Sequence, residues 1–133
     1  MRPIEFRAQN INGAWVFGNF NILKEKLGNV TAGSYISNSA GAPFAYKVRP
    51  ETVSQFTGLT DENGKKIFEG DIVEIDVHDH LDWNVIKGKV IFLEGVWLVT
   101  DSGSFAIPLW SEINEIEVIG NIHENPELLE VAE

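Results

Sequence analysis

Polar and apolar residues alternate with a period of two through most of the patterned segments of this chain, and that period predicts strands. Ile4, Phe6 and Ala8 alternate with Glu5 and Arg7. Asn12-Gly13, a strong two-residue turn signal, then leads into Ala14-Trp15-Val16-Phe17, so the two segments predict a β-hairpin. Residues 21–27 fit a short helix or a strand end, since Ile22, Leu23 and Leu27 share a helical face in a run too short to be stable alone. Residues 28–50 are rich in Gly, Ser, Asn and Ala around the isolated aromatics Tyr35, Phe44 and Tyr46, which predicts loop with short extended pieces. Gly41 and Pro43 argue against a regular helix there.

The most definite local physics lies in residues 57–75, TGLTDENGKKIFEGDIVEI. Asp61-Glu62-Asn63-Gly64 supplies a turn-opening Asp, an Asn that tolerates tight dihedrals and a Gly where φ must be positive, so a tight reversal is predicted. Ile67 and Phe68 bring the chain back apolar, Glu69-Gly70-Asp71 makes a second bend, and residues 72–77 alternate as a β-branched strand. Residues 52–56 predict a short strand before this stretch, and the polar residues 78–84 a loop after it. Residues 85–93, interrupted by Gly88, and 96–100 predict two strands joined by Glu94-Gly95. Asp101-Ser102-Gly103-Ser104 is a further turn, Phe105-Ala106-Ile107 a strand that Pro108 ends or confines to an edge, residues 110–113 a helical turn, and residues 116–119 another strand. Asn125-Pro126-Glu127 has the pattern of an N-cap, a first-turn proline and a first-turn acid, which predicts a brief C-terminal helix. About five short strands at short spacing between residues 72 and 119 are the pattern of a small barrel or sandwich.

A chain of 133 residues is one domain with room for a small appended subdomain, and it can bury roughly two-thirds of its unfolded surface. The 44% hydrophobic and 23% charged residues exclude wholesale disorder. With no cysteine, disulfides are impossible, which fits a reducing compartment. Neither an apolar leader nor a run approaching the ~18 residues of a membrane span is visible, so a soluble, intracellular protein without membrane association is expected. The net charge of -10 is unevenly spread. Residues 1–56 hold six Lys+Arg against three Asp+Glu, net +3, and the remainder four against seventeen, net -13. Opposite surfaces of this kind could dock within a chain or between copies, whereas direct nucleic-acid binding, which needs a clustered cationic footprint, is not expected. A homo-oligomer whose contacts include the N-terminal hairpin is expected from the charge split and from open strand edges.

Few residues suggest catalysis. His78-Asp79-His80-Leu81-Asp82 resembles the metal-binding opening of metallo-β-lactamase-type hydrolases, making His78, His80 and Asp82 candidate metal ligands for a hydrolase. Trp83 stands where that motif has another His, and the whole chain has three His, so a solvated polar loop is the better reading. Glu69 and Asp71 flank Gly70 and could pose as an acid/base pair, but Asp beside Gly in a turn usually bonds backbone amides. Neither a nucleophile elbow nor a Gly-rich phosphate loop occurs, and no cofactor is implied. Trp83, Trp97 and Trp110 could include an exposed binding aromatic, but at least two of them are more simply core. Glu124, Glu127 and Glu130 would form a drifting, solvated acidic stripe on a helix.

Three stretches carry a family resemblance: residues 50–61 (PETVSQFTGLTD), 63–73 (NGKKIFEGDIV) and 117–129 (EVIGNIHENPELL), together with the opening IEFRA at 4–8. They resemble the YopX family of phage and prophage proteins. One departure is Gln9, where the family usually has an aromatic. The resemblance implies a C-terminal SH3-like barrel, carriage on a phage or integrated element, and a bacterial cytoplasm; it brings no established activity or catalytic residues. The expected architecture is therefore mainly β: an N-terminal β-hairpin and loop subdomain over residues 1–56, and an SH3-like β-barrel with a C-terminal helical tail over 57–133. The expected function is a non-enzymatic phage accessory protein that binds a protein partner or its own copies. An acidic decoy of nucleic acid that occupies host DNA-binding proteins is the alternative, beside the hydrolase.

Overall fold

The computed structural model describes residues 4–38, 45–78, 83–101, 106–109 and 115–129. The chain divides into two compact units, 1–56 and 57–133. In the first, β1 (Phe6–Gln9), β2 (Trp15–Leu23), β3 (Gly33–Ser37) and β4 (Ala45–Val48) form an antiparallel meander, and the first residues of β5 (Ser54–Thr60) pair with the free side of β1. The expected N-terminal hairpin is present, with Ala8 opposite Val16. Residues 21–27 resolve in favour of strand, since β2 runs to Leu23. The stretch predicted as loop contains β3 and β4, because Tyr35 and Ile36 find cross-strand partners in Lys47 and Tyr46 that the local sequence does not reveal. Ala8, Ile36 and Val48 are buried, with Phe6, Val16, Phe20, Tyr46 and Val53 packed around them, and the Phe6 and Phe20 ring centroids are 5.8 Å apart. A 3-10 turn, Pro50–Thr52, precedes β5. Its buried Thr52 hydroxyl donates to the Arg49 carbonyl and accepts from the Gln9 amide, satisfying polar groups that burial would otherwise leave costly.

The second unit contains the end of β5, β6 (Lys66–Phe68) and a five-stranded antiparallel sheet of β7 (Asp71–His78), β8 (Trp83–Leu93), β9 (Val96–Thr100), β10 (Ala106–Pro108) and β11 (Glu115–Asn121). Its order is β10-β9-β8-β7-β11. The period-two pattern predicted these five strands: along β7, Val73 and Ile75 are buried while Glu74 and Asp76 are half-exposed. Ile67, Val73, Ile75, Val90, Val99 and Leu109 make the buried core, and Trp97 packs against it.

Two expectations need correction. Among the described residues the sheet is open, with β10 and β11 at its edges, so a closed SH3-like barrel is not confirmed; β10 has three residues and ends on Pro108, which cannot donate to a closing ladder. Among the described residues the C-terminal helix is absent. Residues Pro126–Leu129 form a 3-10 turn, and the Asn125 side chain, expected as a cap, accepts a hydrogen bond from the Asn121 amide in the preceding strand. Leu128 donates to the Asn125 carbonyl, closing the tighter turn instead.

Each unit has one hairpin built on the same five-residue turn. In the first, the Asn10 side-chain oxygen accepts from the Asn12 and Ala14 amides at 2.9 and 3.0 Å, Gly13 N donates to the Asn10 carbonyl, and Asn10 N donates to the Ala14 carbonyl. In the second, Asp61 Oδ1 accepts from Asn63 and Lys65 at 2.9 and 2.8 Å, Gly64 N donates to the Asp61 carbonyl, and Asp61 N donates to the Lys65 carbonyl. Gly13 and Gly64 have φ of 84° and 79°. This is the three-residue loop with a glycine in the left-handed position. The reversal at Asn12-Gly13 is thus one residue longer than the two-residue turn predicted from sequence.

Candidate functional site

The residues singled out for chemistry mostly serve architecture. Asp71, 1% exposed, accepts the Phe68 amide on Oδ2 at 2.8 Å, so it closes the bend through Glu69-Gly70, as an Asp beside a turn Gly does. The Gly70 peptide ties two further segments together, donating to the Val90 carbonyl and accepting from Ile122 N. Asp61 is 7% exposed and reaches further than its own turn: Oδ2 accepts from Val118 N at 3.0 Å, in β11, beside a backbone bond from Glu62 N to the Ile116 carbonyl. Burial raises the pKa of its carboxyl, but the amides of Val118, Lys65 and Asn63, with the Lys65 charge, outweigh that and hold it below its ordinary value. In the C-terminal stretch, Asn121 Oδ1 accepts from the His123 and Glu124 amides while Asn121 Nδ2 donates to Glu124 Oε1. The three stretches that carry the family resemblance therefore hydrogen-bond to themselves and to one another.

The metal hypothesis falls largely outside the described residues. His78 ends β7 and is in register with Trp83 at the start of β8, while His80 and Asp82 are not among the described residues. Among the described residues no group of three or more His, Asp or Glu could hold a metal ion. Trp97 is half-buried against the core, and Trp110 and Glu130 are not described. Glu124 and Glu127 lie on a turn and a 3-10 segment, so the expected helical acidic stripe does not form.

Two surfaces remain. On the first, Glu115 and Glu117 of β11 stand directly opposite Asp76 and Glu74 of β7, with Lys87 of β8 on the far side of Glu74. Partial desolvation, then the charges of Glu115, Glu117, Asp76 and Asp61, push the exposed Glu62 carboxyl upward. The second surface is apolar: the β8–β9 tip exposes Phe92 by 52%, Leu93 by 53% and Val96 by 41%, with Leu93 paired to Val96 and Phe92 to Trp97. The Phe92 and Trp97 rings meet edge to face at 4.8 Å. Glu94 and Gly95 both have positive φ, 50° and 84°, giving the tight primed turn whose twist suits a two-residue hairpin. Glu94 has the only positive φ at a residue other than glycine among those described. Glu94-Gly95 was legible as a bend, but the apolar residues around it read as ordinary strand until their exposure was known.

No helix among the described residues is long and apolar enough to cross a membrane. A comparison with curated proteins finds no match. Among solved structures, the crystal structure of protein EF1440 from Enterococcus faecalis is similar at 26% identity and a TM-score of 0.55, covering 98% of this chain and 100% of that one. The model of the YopX protein family matches residues 5–130, nearly the whole chain, and the chain therefore belongs to the YopX family.

Proposed function

We propose that the protein is a non-enzymatic binding module, a phage or prophage accessory protein acting in the bacterial cytoplasm, and that the β8–β9 tip is its docking surface for a protein partner. The observation that carries this reading is the exposure of Phe92, Leu93 and Val96 beside a tight two-residue turn. Apolar side chains grouped at an exposed tip gain free energy when a partner covers them, at about 25 cal/mol per Å² of apolar area. Glu94 at the apex, on a unit carrying net -13, disfavours an anionic membrane as the occupant and favours a protein pocket rimmed by basic groups. A strand order in which β11 returns to pair with β7 supports an SH3-like architecture, a scaffold that commonly carries binding sites.

Pull-down from a bacterial lysate with native protein and with Phe92→Ser/Leu93→Ser tests the reading. A protein recovered by the native chain and lost with the variant, whose circular dichroism stays native, is the expected result; equal recovery by both removes the tip from the reading. The same binding could serve self-association. Sedimentation equilibrium above the chain mass of 14.8 kDa supports a homo-oligomer, and a monomer at the same concentration leaves a heterologous partner.

A further inference from the structure

The two turns share a chemical liability that their surroundings gate differently. Both contain Asn-Gly in an exposed turn, Asn12-Gly13 and Asn63-Gly64. In such a pair the backbone nitrogen of Gly, losing its proton, attacks Cγ of the preceding Asn. The new N–Cγ bond closes a succinimide, the Cγ–Nδ2 bond breaks and ammonia leaves; water then opens the ring to aspartate or isoaspartate. Glycine permits this because no side chain obstructs the approach. In both turns the attacking nitrogen is occupied, since Gly13 N donates to the Asn10 carbonyl and Gly64 N to the Asp61 carbonyl, each at 3.0 Å. Attack therefore requires the turn to open, and the cost of opening sets the rate.

That cost differs. The first turn is held by a neutral, half-buried Asn10 side chain on two amides, by the exposed Arg49 Nη2 donating to the Ile11 carbonyl at 2.9 Å, and by a backbone bridge between Asn10 and Val48. The second is held by a buried carboxylate on three amides, one of them Val118 N in β11, and by the backbone bond from Glu62 N to the Ile116 carbonyl. Hydrogen bonds to an ionised acceptor are roughly twice as strong as neutral ones. We propose that Asn12 is a spontaneous deamidation and isoaspartate site of the native protein and that Asn63, in a turn of the same backbone, is protected by the Asp61 bonds. Conversion at Asn12 adds a negative charge to the +3 unit. Where isoaspartate forms, an extra methylene enters the backbone and breaks the bond from Gly13 N to Asn10.

Incubation of the native protein at mildly alkaline pH, followed by tryptic mapping of peptides 8–24 and 48–65 and by isoaspartyl methyltransferase labelling, measures both sites in one chain. The expected result is conversion at Asn12 about tenfold or more faster than at Asn63, the factor that an extra opening cost of about 1.4 kcal/mol produces. In guanidinium chloride the two rates should become comparable, because both sites are then plain Asn-Gly. Equal native rates, a faster Asn63, or an Asn12 that converts in denaturant and not in the native protein would each overturn the proposal. Asp61→Asn, which leaves an Asn in the position Asn10 holds in the first turn, should bring the Asn63 rate up to that of Asn12 while circular dichroism stays native. A folded variant with Asn63 still protected would show that Asp61 is not the gate.

Discussion

Asn10 and Asp61 do the same local work in turns of the same backbone, yet Asp61 also reaches a strand 57 residues further along the chain. The difference is one atom. An amide side chain has one acceptor oxygen, and Asn10 uses it within its own loop; a carboxylate has a second, and Asp61 offers it to Val118 N. A local turn thereby becomes a joint between the β5–β6 hairpin and β11. The lesson is that turn chemistry and tertiary stapling can share a single side chain, and that their energies can be separated by experiment.

The largest expected effect breaks the comparison at that residue. Asp61→Ala removes the acceptor of three backbone amides at a buried position and should cost about 3 to 5 kcal/mol, hydrogen bonds to charged groups being worth about 1.5–3 kcal/mol each and not additive. Asn10→Ala should cost about 1 to 2 kcal/mol, with neutral bonds and partial exposure. Guanidinium unfolding followed by circular dichroism reads both, and equal losses would mean that the bond to Val118 contributes nothing.

The glycines should show the two turns at their most alike. Beyond the adjoining residues, no heavy atom lies within 4 Å of the position a Cβ would take at Gly13 or Gly64, so only backbone strain opposes a side chain. Gly13→Val and Gly64→Val should each destabilise by about 1 to 2 kcal/mol, by nearly the same amount. A much larger loss at Gly64 would show that the bonds to β11 amplify local strain.

Acid should separate the turns again. The Asp61 carboxyl is held below its ordinary value in the folded protein, so the stability it contributes is full above the ordinary carboxylate range and is lost as pH falls through the depressed folded value. Asn10 does not titrate. Thermal melts from pH 6 downward should therefore lose stability at the acid end in the native chain, and Asp61→Asn should flatten that loss. Glu62 has the opposite sign: its folded pKa is raised, so its charge disfavours the fold above that value and protonation relieves the penalty. A slight gain in stability should accordingly precede the acid loss.

Much of this architecture could be read from local chemistry. The five strands of the second unit follow from alternation, and the Asp61 turn and the positive φ of Gly64 from Asp-Glu-Asn-Gly. What escaped was non-local. Asn10-Ile11-Asn12-Gly13 repeats the Asp61-Glu62-Asn63-Gly64 pattern with an amide for the acid, a signal in plain view that the weight given to Asn12-Gly13 alone concealed. Strands β3 and β4 depend on each other through pairs such as Tyr35–Lys47, and nothing in either segment announces the partner. The C-terminal segment carries genuine capping residues, but Asn125 spends its side chain on Asn121 N, a tertiary contact that overrides local preference. The candidate surfaces were the least legible, because the exposure of Phe92 and the facing of Glu117 with Glu74 depend on register rather than residue type.

The smallest effect sharpens the comparison through charge. The Asn10 turn carries no carboxylate, whereas Glu62 in the Asp61 turn sits beside β11, whose Glu115 and Glu117 already face Asp76 and Glu74. Like charges directly opposite across antiparallel strands repel, and each such pair costs a few tenths of a kcal/mol at low salt. Glu117→Gln should relieve both the pair with Glu74 and the field on Glu62. The expected gain is about 0.5 kcal/mol in dilute buffer, shrinking in high salt as the screening length falls to about 3 Å at 1 M. An independent reading comes from NMR titration of the Glu62 side chain, whose pKa should move down toward the ordinary glutamate value in the variant. No movement would show that the Glu117 charge takes no part in holding Glu62 up. A gain in stability that persists in high salt would mean that Glu117→Gln acts through packing or strand propensity rather than through charge.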